Sequence, residues 1–254
     1  MSPFAQIAEA YRRTRKPKDI LWNRFVARPV AAVLIPLLAH TRVTPNQITF
    51  ASLAVFLAAG GLLLAWPGHL GLILAVVVLE LSYVLDCVDG QLARLRGTSS
   101  PVGAHLDFLM DELKAFVLVA CVGTRLWQQD HRAVWLLEAL FGLCAVASAI
   151  SLTGFVRRPE YLTATGSARP KSAGDYGDGF AAAAEPPAPR SLAQRVMGAV
   201  EGLGRFLVHY PSYIVVIAAV DRLDIFLRLY IAINMAYAAR TILAIARKLG
   251  RSGT

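Results

Sequence analysis

Residues 86–111 read DCVDGQLARLRGTSSPVGAHLDFLMD. Four aspartates fall here, Asp86, Asp89, Asp107 and Asp111, at the end of one apolar run and near the start of the next. A carboxylate in a membrane-length apolar segment costs on the order of 2.5–3.5 kcal/mol by insertion scales, and it marks a working site by default. Four so close together need cations to hold them. Residues three or four apart share a helix face. Asp86 and Asp89 therefore point one way on the first helix, and Asp107 and Asp111 one way on the second. The turn between them, Gly97-Thr98-Ser99-Ser100-Pro101, is short enough to make the helices antiparallel neighbours. The two pairs then converge at similar depth.

Outward from this stretch the chain is strongly apolar. Hydrophobic residues make up 56% of it and charged residues 17%, against about 45–50% and about 25% in soluble domains. The pattern predicts an all-α polytopic membrane protein with six transmembrane helices and an N-terminal interfacial amphipathic helix. The net charge is +9, which on a soluble chain would suggest nucleic acid. Here the basic residues border apolar runs and form no single patch, so a nucleic-acid partner is excluded. Cys87, Cys121 and Cys144 sit inside apolar stretches, too scattered for a disulfide framework or a zinc site. Residues 1–18 show no cleavable signal peptide.

The expected organisation is a basic cytoplasmic tail over 1–18, attracted to anionic lipid, then an interfacial juxtamembrane helix over 19–42. The uninterrupted apolar part of the latter, 30–39, is too short to span a bilayer, and Trp22, Arg24 and Arg28 suit the headgroup region. A six-helix domain follows over 43–250. Its first span is opened by Thr44 as N-cap and Pro45 at the first helical position. Spans are expected at 45–66, 70–94, 101–126 and 133–156, then one that starts in the interface at 191 and ends at 220, and a last one at 224–246. Gly60-Gly61 is the expected point of close helix packing. Residues 159–190, rich in Gly, Pro, Ser and Ala, read as a mobile cytoplasmic loop. Of 26 Lys and Arg, only Arg125, Arg132, Arg222 and Arg228 fall near the outer side if the N-terminus is cytoplasmic. The positive-inside rule thus places the N-terminus and the aspartates at the cytoplasmic face, in the inner membrane of the cell.

A cluster of carboxylate oxygens suits Mg²⁺ or Mn²⁺, and four aspartates can serve two ions. Two metals can clamp a diphosphate and stabilise its leaving part. An aspartate not fully committed to metal can accept a proton from an attacking hydroxyl. Gly90 and Ala93 keep the first helix thin beside its carboxylates, Gly103 does so one turn before Asp107, and Arg94 adds a cation at the rim. The residues alone therefore suggest metal-dependent transfer from a diphosphate-containing substrate at a membrane surface. The alternatives are a set of acids in a transporter pathway and an aspartate-rich membrane prenyltransferase.

The spacing Asp86-x2-Asp89-Gly90-x2-Ala93-Arg94-x8-Gly103-x3-Asp107-x3-Asp111 resembles the full signature of the CDP-alcohol phosphotransferases, also called CDP-alcohol phosphatidyltransferases. The resemblance implies six helices around a polar cavity open to the cytoplasm, and two-fold pairing as a homodimer. It implies that Asp86, Asp89 and Asp107 ligate metal, and that Asp111 completes the metal site and acts as general base. It implies that Gly90, Ala93, Arg94 and Gly103 line the CDP site. The acceptor hydroxyl would attack the β-phosphorus of a CDP-alcohol and expel CMP, in phospholipid or inositol-phosphate-type headgroup synthesis. Residues 16–49, with KPKD, NRFVARPV, Arg42 and VTPNQIT, are similar to the start of di-myo-inositol-phosphate-phosphate synthase and phosphatidylinositol-phosphate-synthase-like members. That likeness implies an inositol-phosphate or other polyol-phosphate substrate; the donor is CDP-diacylglycerol or a CDP-polyol.

An acceptor that carries its own phosphate needs a further cation. Lys114, three residues after Asp111, is one candidate, with Arg157 at the end of the fourth span and Arg205 at the start of the fifth. Each competes with a role as an interfacial snorkelling residue. Glu80 reads as locally paired.

Overall fold

In the computed structural model, residues 3–14, 19–166 and 209–252 are described, and among them the regular elements are all helical. In chain order these are α1 (Pro3–Thr14), a π-helical turn (Asn23–Ala27) running directly into α2 (Arg28–Ala39), α3 (Pro45–Ala65), α4 (His69–Arg96), α5 (Pro101–Asp130), α6 (Val134–Val156), α7 (Pro159–Ala164), α8 (Pro211–Ala219) and α9 (Leu223–Ser252). Four of them are long and apolar enough to cross a membrane: α3, α4, α6 and residues Leu223–Gly250 of α9. The protein is an all-α polytopic membrane protein. α5 has the length of a span, but Asp107, Asp111, Glu112, Lys114 and Arg125 interrupt its apolar character. Of the expected fifth span, the described part is α8; most of 191–210 lies outside the described residues. The expected loop at 159–190 begins with the short helix α7, and residues 167–190 lie outside the described residues. Residues 3–14, read as part of a tail, form α1.

The chain divides into two compact units, Met1–Val117 with Pro211–Asp221, and Leu118–Tyr210 with Arg222–Thr254. In the first unit, α3 starts as its sequence predicts. Thr44 Oγ1 accepts from the Gln47 N–H at 3.3 Å, and Gln47 Oε1 accepts from the Thr44 N–H at 2.9 Å. This reciprocal box satisfies two donors at the helix start, and Pro45 sits in the first turn, where its missing N–H costs nothing. Trp66, Pro67 and Gly68 turn the chain into α4. Two pairs then fix α3 against α4. Ser52 donates to the Ser82 carbonyl at 2.9 Å, and Ser82 donates to the Ser52 carbonyl at 2.8 Å. Thr49 reaches Asp89. Moving back along α3 moves forward along α4, so the helices are antiparallel. Small hydroxyl residues let the backbones approach and also tie them, the usual device where lipid offers no hydrophobic drive for helix association. Of the Gly60-Gly61 pair, Gly60 is buried and Gly61 has open space where a Cβ would lie; Ser52 and Ser82 supply the polar tie between the helices.

α4 ends at Gly97, whose φ of +66° is a conformation glycine adopts without strain. The Thr98 N–H bonds back to the Ala93 carbonyl at 2.9 Å and the Gly97 N–H to that of Arg94 at 3.3 Å, closing the last turn. Arg96 then spreads its guanidinium over the carbonyls of Leu38, Thr41 and Val43 at 2.5–2.9 Å, capping the C-terminal end of α2. α1 and α2 pack on α3 and α4 through Ala10, Ala31, Ile35, Ile48, Val88 and Leu92. The opposite face of the π-helical turn and α2 exposes Phe25, Val30, Val33 and Leu37, a surface suited to lipid. Arg28, expected among the headgroups, is instead buried and ion-paired with Asp19. Glu80, expected to pair locally, lies beside Trp22 on the preceding helical segment.

The second unit is organised around α6 and α9. Gly123 and Gly142 are its close-approach positions. A Cβ on Gly123 would come within 2.3 Å of the Ala139 side chain, and one on Gly142 within 3.0 Å of Val119 and Ile231. Polar ties again fix register: Arg228 to Glu138 at 3.1 Å, with its guanidinium 4.9 Å from the Trp135 ring, and Thr153 to Tyr237 at 2.8 Å.

Candidate active site

The acidic stretch folds as two helices joined by residues 97–100. Ser100 caps α5, its hydroxyl accepting the Gly103 N–H at 3.0 Å. With α4 closed at Gly97 and α5 opened at Ser100, Asp86 and Asp89 face Asp107. One carboxylate oxygen from each of these three lies within 4.8 Å of the others, a spacing that lets them share a divalent cation. Asp89 is buried, while Asp86 and Asp107 are partly buried. Three carboxylates this close, in a helical apolar setting, repel one another unless a cation sits among them or beside them. Their oxygen-only donor set fits Mg²⁺ or Mn²⁺.

The chain supplies a cation to this cluster itself. Lys114 is 2% exposed, with Nζ 2.5 Å from Asp86 Oδ1 and 3.4 Å from Asp111 Oδ1. The fourth aspartate, Asp111, thus sits outside the trio and beside the lysine, with its side chain 56% exposed. Of the four carboxylates it is the most exposed. On the other side, Thr49 Oγ1 donates to Asp89 Oδ2 at 2.5 Å. This bond fixes the carboxylate's rotation beside the cluster.

Gly90 lies between Asp89 and Arg94 on α4. A Cβ there would meet no neighbour but the Arg94 guanidinium, at 3.3 Å from Nη1. At Gly103 a Cβ would meet Ser100 Oγ at 3.2 Å and Asn46 Oδ1 at 3.7 Å. Both glycines therefore border space that protein side chains leave largely unfilled. Ala93 is half-buried on α4. Arg157 caps the end of α6 in the second unit, and Arg205 lies outside the described residues.

Sequence reasoning missed a polar layer between α4 and the N-terminal segment of the chain. Asn23, in the π-helical turn, accepts from the Tyr83 hydroxyl and donates to Asp19 at 3.2 Å. Asp19 in turn pairs with Arg28. Gln91 donates to the Arg28 carbonyl at 3.1 Å, and Arg94 donates to the Thr14 carbonyl at 2.9 Å. One signal was available: Tyr83, Gln91 and Arg94 are polar groups on a membrane-length helix, beyond its two aspartates, and they call for polar partners opposite.

Fold and cluster together describe a polytopic membrane protein with an acidic site competent to hold a divalent metal. The chain belongs to the CDP-alcohol phosphatidyltransferase family, whose model matches residues 42–174. It is 33% identical over 162 residues to the phosphatidylinositol phosphate synthase of Corynebacterium glutamicum, covering 58% of this chain and 68% of that protein. It is 26% identical over 125 residues to the bifunctional IPC transferase and DIPP synthase of Aquifex aeolicus, covering 49% of this chain and 28% of that one. The archaetidylinositol phosphate synthase of Aeropyrum pernix is 33% identical over 89 residues, covering 35% and 44%. The protein is a CDP-alcohol phosphotransferase, of a family that is typically dependent on divalent metal. The transporter and prenyltransferase alternatives fall away with that membership.

Proposed function

We propose that this chain transfers the phosphatidyl group of CDP-diacylglycerol to a hydroxyl of an inositol-phosphate-class acceptor, releasing CMP. The observation that carries the reading is the likeness to the Corynebacterium phosphatidylinositol phosphate synthase over more than half of this chain. Likeness to an archaetidylinositol phosphate synthase supports the same headgroup. A CDP-polyol donor is the second reading, favoured by the likeness to bifunctional IPC transferase and DIPP synthases.

Asp86, Asp89 and Asp107 are the residues that would hold the metal, with Asp111 completing the site. Two ions, Mg²⁺ or Mn²⁺, would neutralise the diphosphate and the charge left on CMP. Thr49 orients Asp89. Lys114 holds Asp86 and Asp111 in place through its two ion pairs and is the first candidate to meet an acceptor phosphate. Asp111, the exposed carboxylate, takes the proton of the acceptor hydroxyl. The hydroxyl oxygen forms a bond to the β-phosphorus as the bond from that phosphorus to the bridging oxygen breaks, and CMP leaves with the electron pair. Gly90, Ala93, Arg94 and Gly103 line the nucleotide, while Arg157 and Arg205 are the other acceptor-phosphate candidates. The positive-inside distribution supports an inner-membrane protein with its N-terminus and site in the cytoplasm. Pairing as a homodimer completes the proposal.

The test crosses two donors, CDP-diacylglycerol and CDP-inositol, with inositol phosphate, glycerol phosphate and free inositol. Release of CMP is followed with and without Mg²⁺. Release from CDP-diacylglycerol only with inositol phosphate is expected. Turnover confined to CDP-inositol would move the protein to the second reading, and release with free inositol alone would remove the phosphate requirement.

A further inference from the structure

Arg94 is the cation at the rim of the acidic helix, and its placement depends on residues far from it in sequence. Its Nε donates to the backbone carbonyl of Thr14, the last residue of α1, at 2.9 Å. That bond uses one edge of the guanidinium and leaves Nη1 beside Gly90. Thr14 is 1% exposed and is itself held. Its hydroxyl lies 2.7 Å from the Ala10 carbonyl and 3.2 Å from Gln91 Oε1. Gln91 is fully buried, and its Nε2 donates to the Arg28 carbonyl at 3.1 Å. The relay therefore runs from the first turn of α2 through the Gln91 amide to the end of α1, and from there to Arg94.

Each link in this relay has a physical reason to be retained. A buried amide without partners costs about 1–3 kcal/mol, so Gln91 locks to whichever carbonyl and hydroxyl face it. Gln91 and Arg94 lie three apart and share a helix face, so the element that satisfies one also meets the other. An arginine side chain left alone would sample many rotamers and lose much of its orientation. A main-chain carbonyl on Nε fixes the plane of the guanidinium while both terminal nitrogens remain available, the arrangement suited to an anionic ligand beside Gly90.

We propose that Thr14 and Gln91 are positioning residues for the nucleotide end of the donor: they set the orientation of Arg94, so α1 is a working part of the CDP site. The inference rests on the reading of Arg94 and Gly90 as nucleotide-lining residues. It makes the N-terminal helix a determinant of donor affinity with no contact to the reacting phosphorus.

The experiment measures CDP binding by calorimetry in Mg²⁺, and donor KM and kcat, on the full-length protein. Variants are Thr14→Val and Gln91→Met, both close to isosteric, Arg94→Gln, and each of the first two combined with Arg94→Gln. The expected result is that Thr14→Val or Gln91→Met weakens CDP binding about five- to tenfold, as loss of one constraint on a charged hydrogen bond allows. Donor KM should rise in step with kcat held, and neither substitution should have a further effect once Arg94 is Gln. If Arg94→Gln leaves CDP affinity unchanged, the nucleotide-site reading of Arg94 fails and takes the inference with it. If Arg94→Gln weakens binding while Thr14→Val and Gln91→Met do not, the inference alone is overturned. Additive losses in the double variants, or a fall in kcat without a change in KM, would make Thr14 and Gln91 merely structural and would also overturn it.

Discussion

Replacement of Lys114 by methionine removes the ammonium paired with Asp86 and Asp111 and keeps the side chain's bulk. Lys114 is 2% exposed and pairs with Asp86, whose side chain is 12% exposed, and with Asp111, whose side chain is 56% exposed. Breaking a buried pair by removing one partner costs about 3–5 kcal/mol. The Asp111 arm is longer, at 3.4 Å, and its carboxylate is the more exposed partner, so the lower end, about 3 kcal/mol, applies. At roughly 2–4 °C per kcal/mol for a chain of this size, Lys114→Met should unfold some 6–12 °C lower, an estimate following from those two ranges. The assay is thermal unfolding in detergent, followed by tryptophan fluorescence, first in EDTA and then across a Mg²⁺ titration. A cation bound to Asp86, Asp89 and Asp107 replaces the missing ammonium, so Mg²⁺ should stabilise Lys114→Met more than the parent protein, and the gap should narrow. Equal unfolding temperatures in EDTA would refute the claim that Lys114 compensates the carboxylates. A gap that stays constant across the titration would refute the claim that metal and lysine serve the same charges. A rise in acceptor KM with no change in metal-free stability would assign the lysine to the acceptor phosphate alone.

Thr49→Val removes the hydroxyl that fixes Asp89; the Mg²⁺ concentration for half-maximal CMP release should rise about tenfold, within the range seen for groups that orient metal ligands, and an unchanged requirement would count against the metal role of Asp89. A Cβ on Gly90 would meet the Arg94 guanidinium first, at 3.3 Å from Nη1, so Gly90→Val should leave the fold intact while donor KM rises at least about tenfold; unchanged donor KM would remove Gly90 from the nucleotide site. Asp130, beyond the apolar part of α5, accepts from the Trp135 indole at 2.9 Å and from the Arg132 N–H at 3.0 Å, and these bonds hold its carboxyl below the ordinary value. Its contribution to stability is therefore present above the unfolded value of about 4 and is lost as pH falls through the lower folded value. Tryptophan fluorescence should report an acid transition that Asp130→Asn lacks.

What the sequence made legible was local. Thr44, Pro45 and Gln47 sit within one turn, and so cap α3 as their chemistry requires. Asp86, Asp89 and Asp107 converge because helical spacing and a four-residue connection leave them little freedom, and Lys114 joins them because it is one turn from Asp111. The illegible part consists of pairs between distant segments. Thr49–Asp89, Asn23–Tyr83 and Thr14–Gln91 are 40, 60 and 77 residues apart. Each depends on which faces of α1, α2 and α3 meet α4. Arg28 was read outward, toward headgroups, because a charge in an apolar helix end normally snorkels. It turns inward because Asp19, just before the start of that helical segment, pairs with it and neutralises it. The π-helical turn that rotates residues 23–27 leaves no mark in hydropathy.

The placement of these hidden pairs bears on how the site is held. Lipid gives apolar helices no reason to prefer one register over another, so register in a membrane unit comes from small residues and polar ties. In the first unit those ties gather on α4. Ser82 and Asp89 engage α3, Asp86 engages α5 through Lys114, Tyr83 engages the π-helical turn, and Gln91 and Arg94 engage α1 and α2. Four of these six residues are among, or within three residues of, the aspartates Asp86 and Asp89. The interactions that fix the packing of the unit are thus the ones that fix the carboxylate geometry. A substitution that slides α4 by one turn would break helix packing and the acidic cluster together. The same coupling explains why an acidic helix is tolerated in this setting. Each carboxylate that would be costly in lipid is met by a hydroxyl, an ammonium or the neighbouring acids with which it can share a cation.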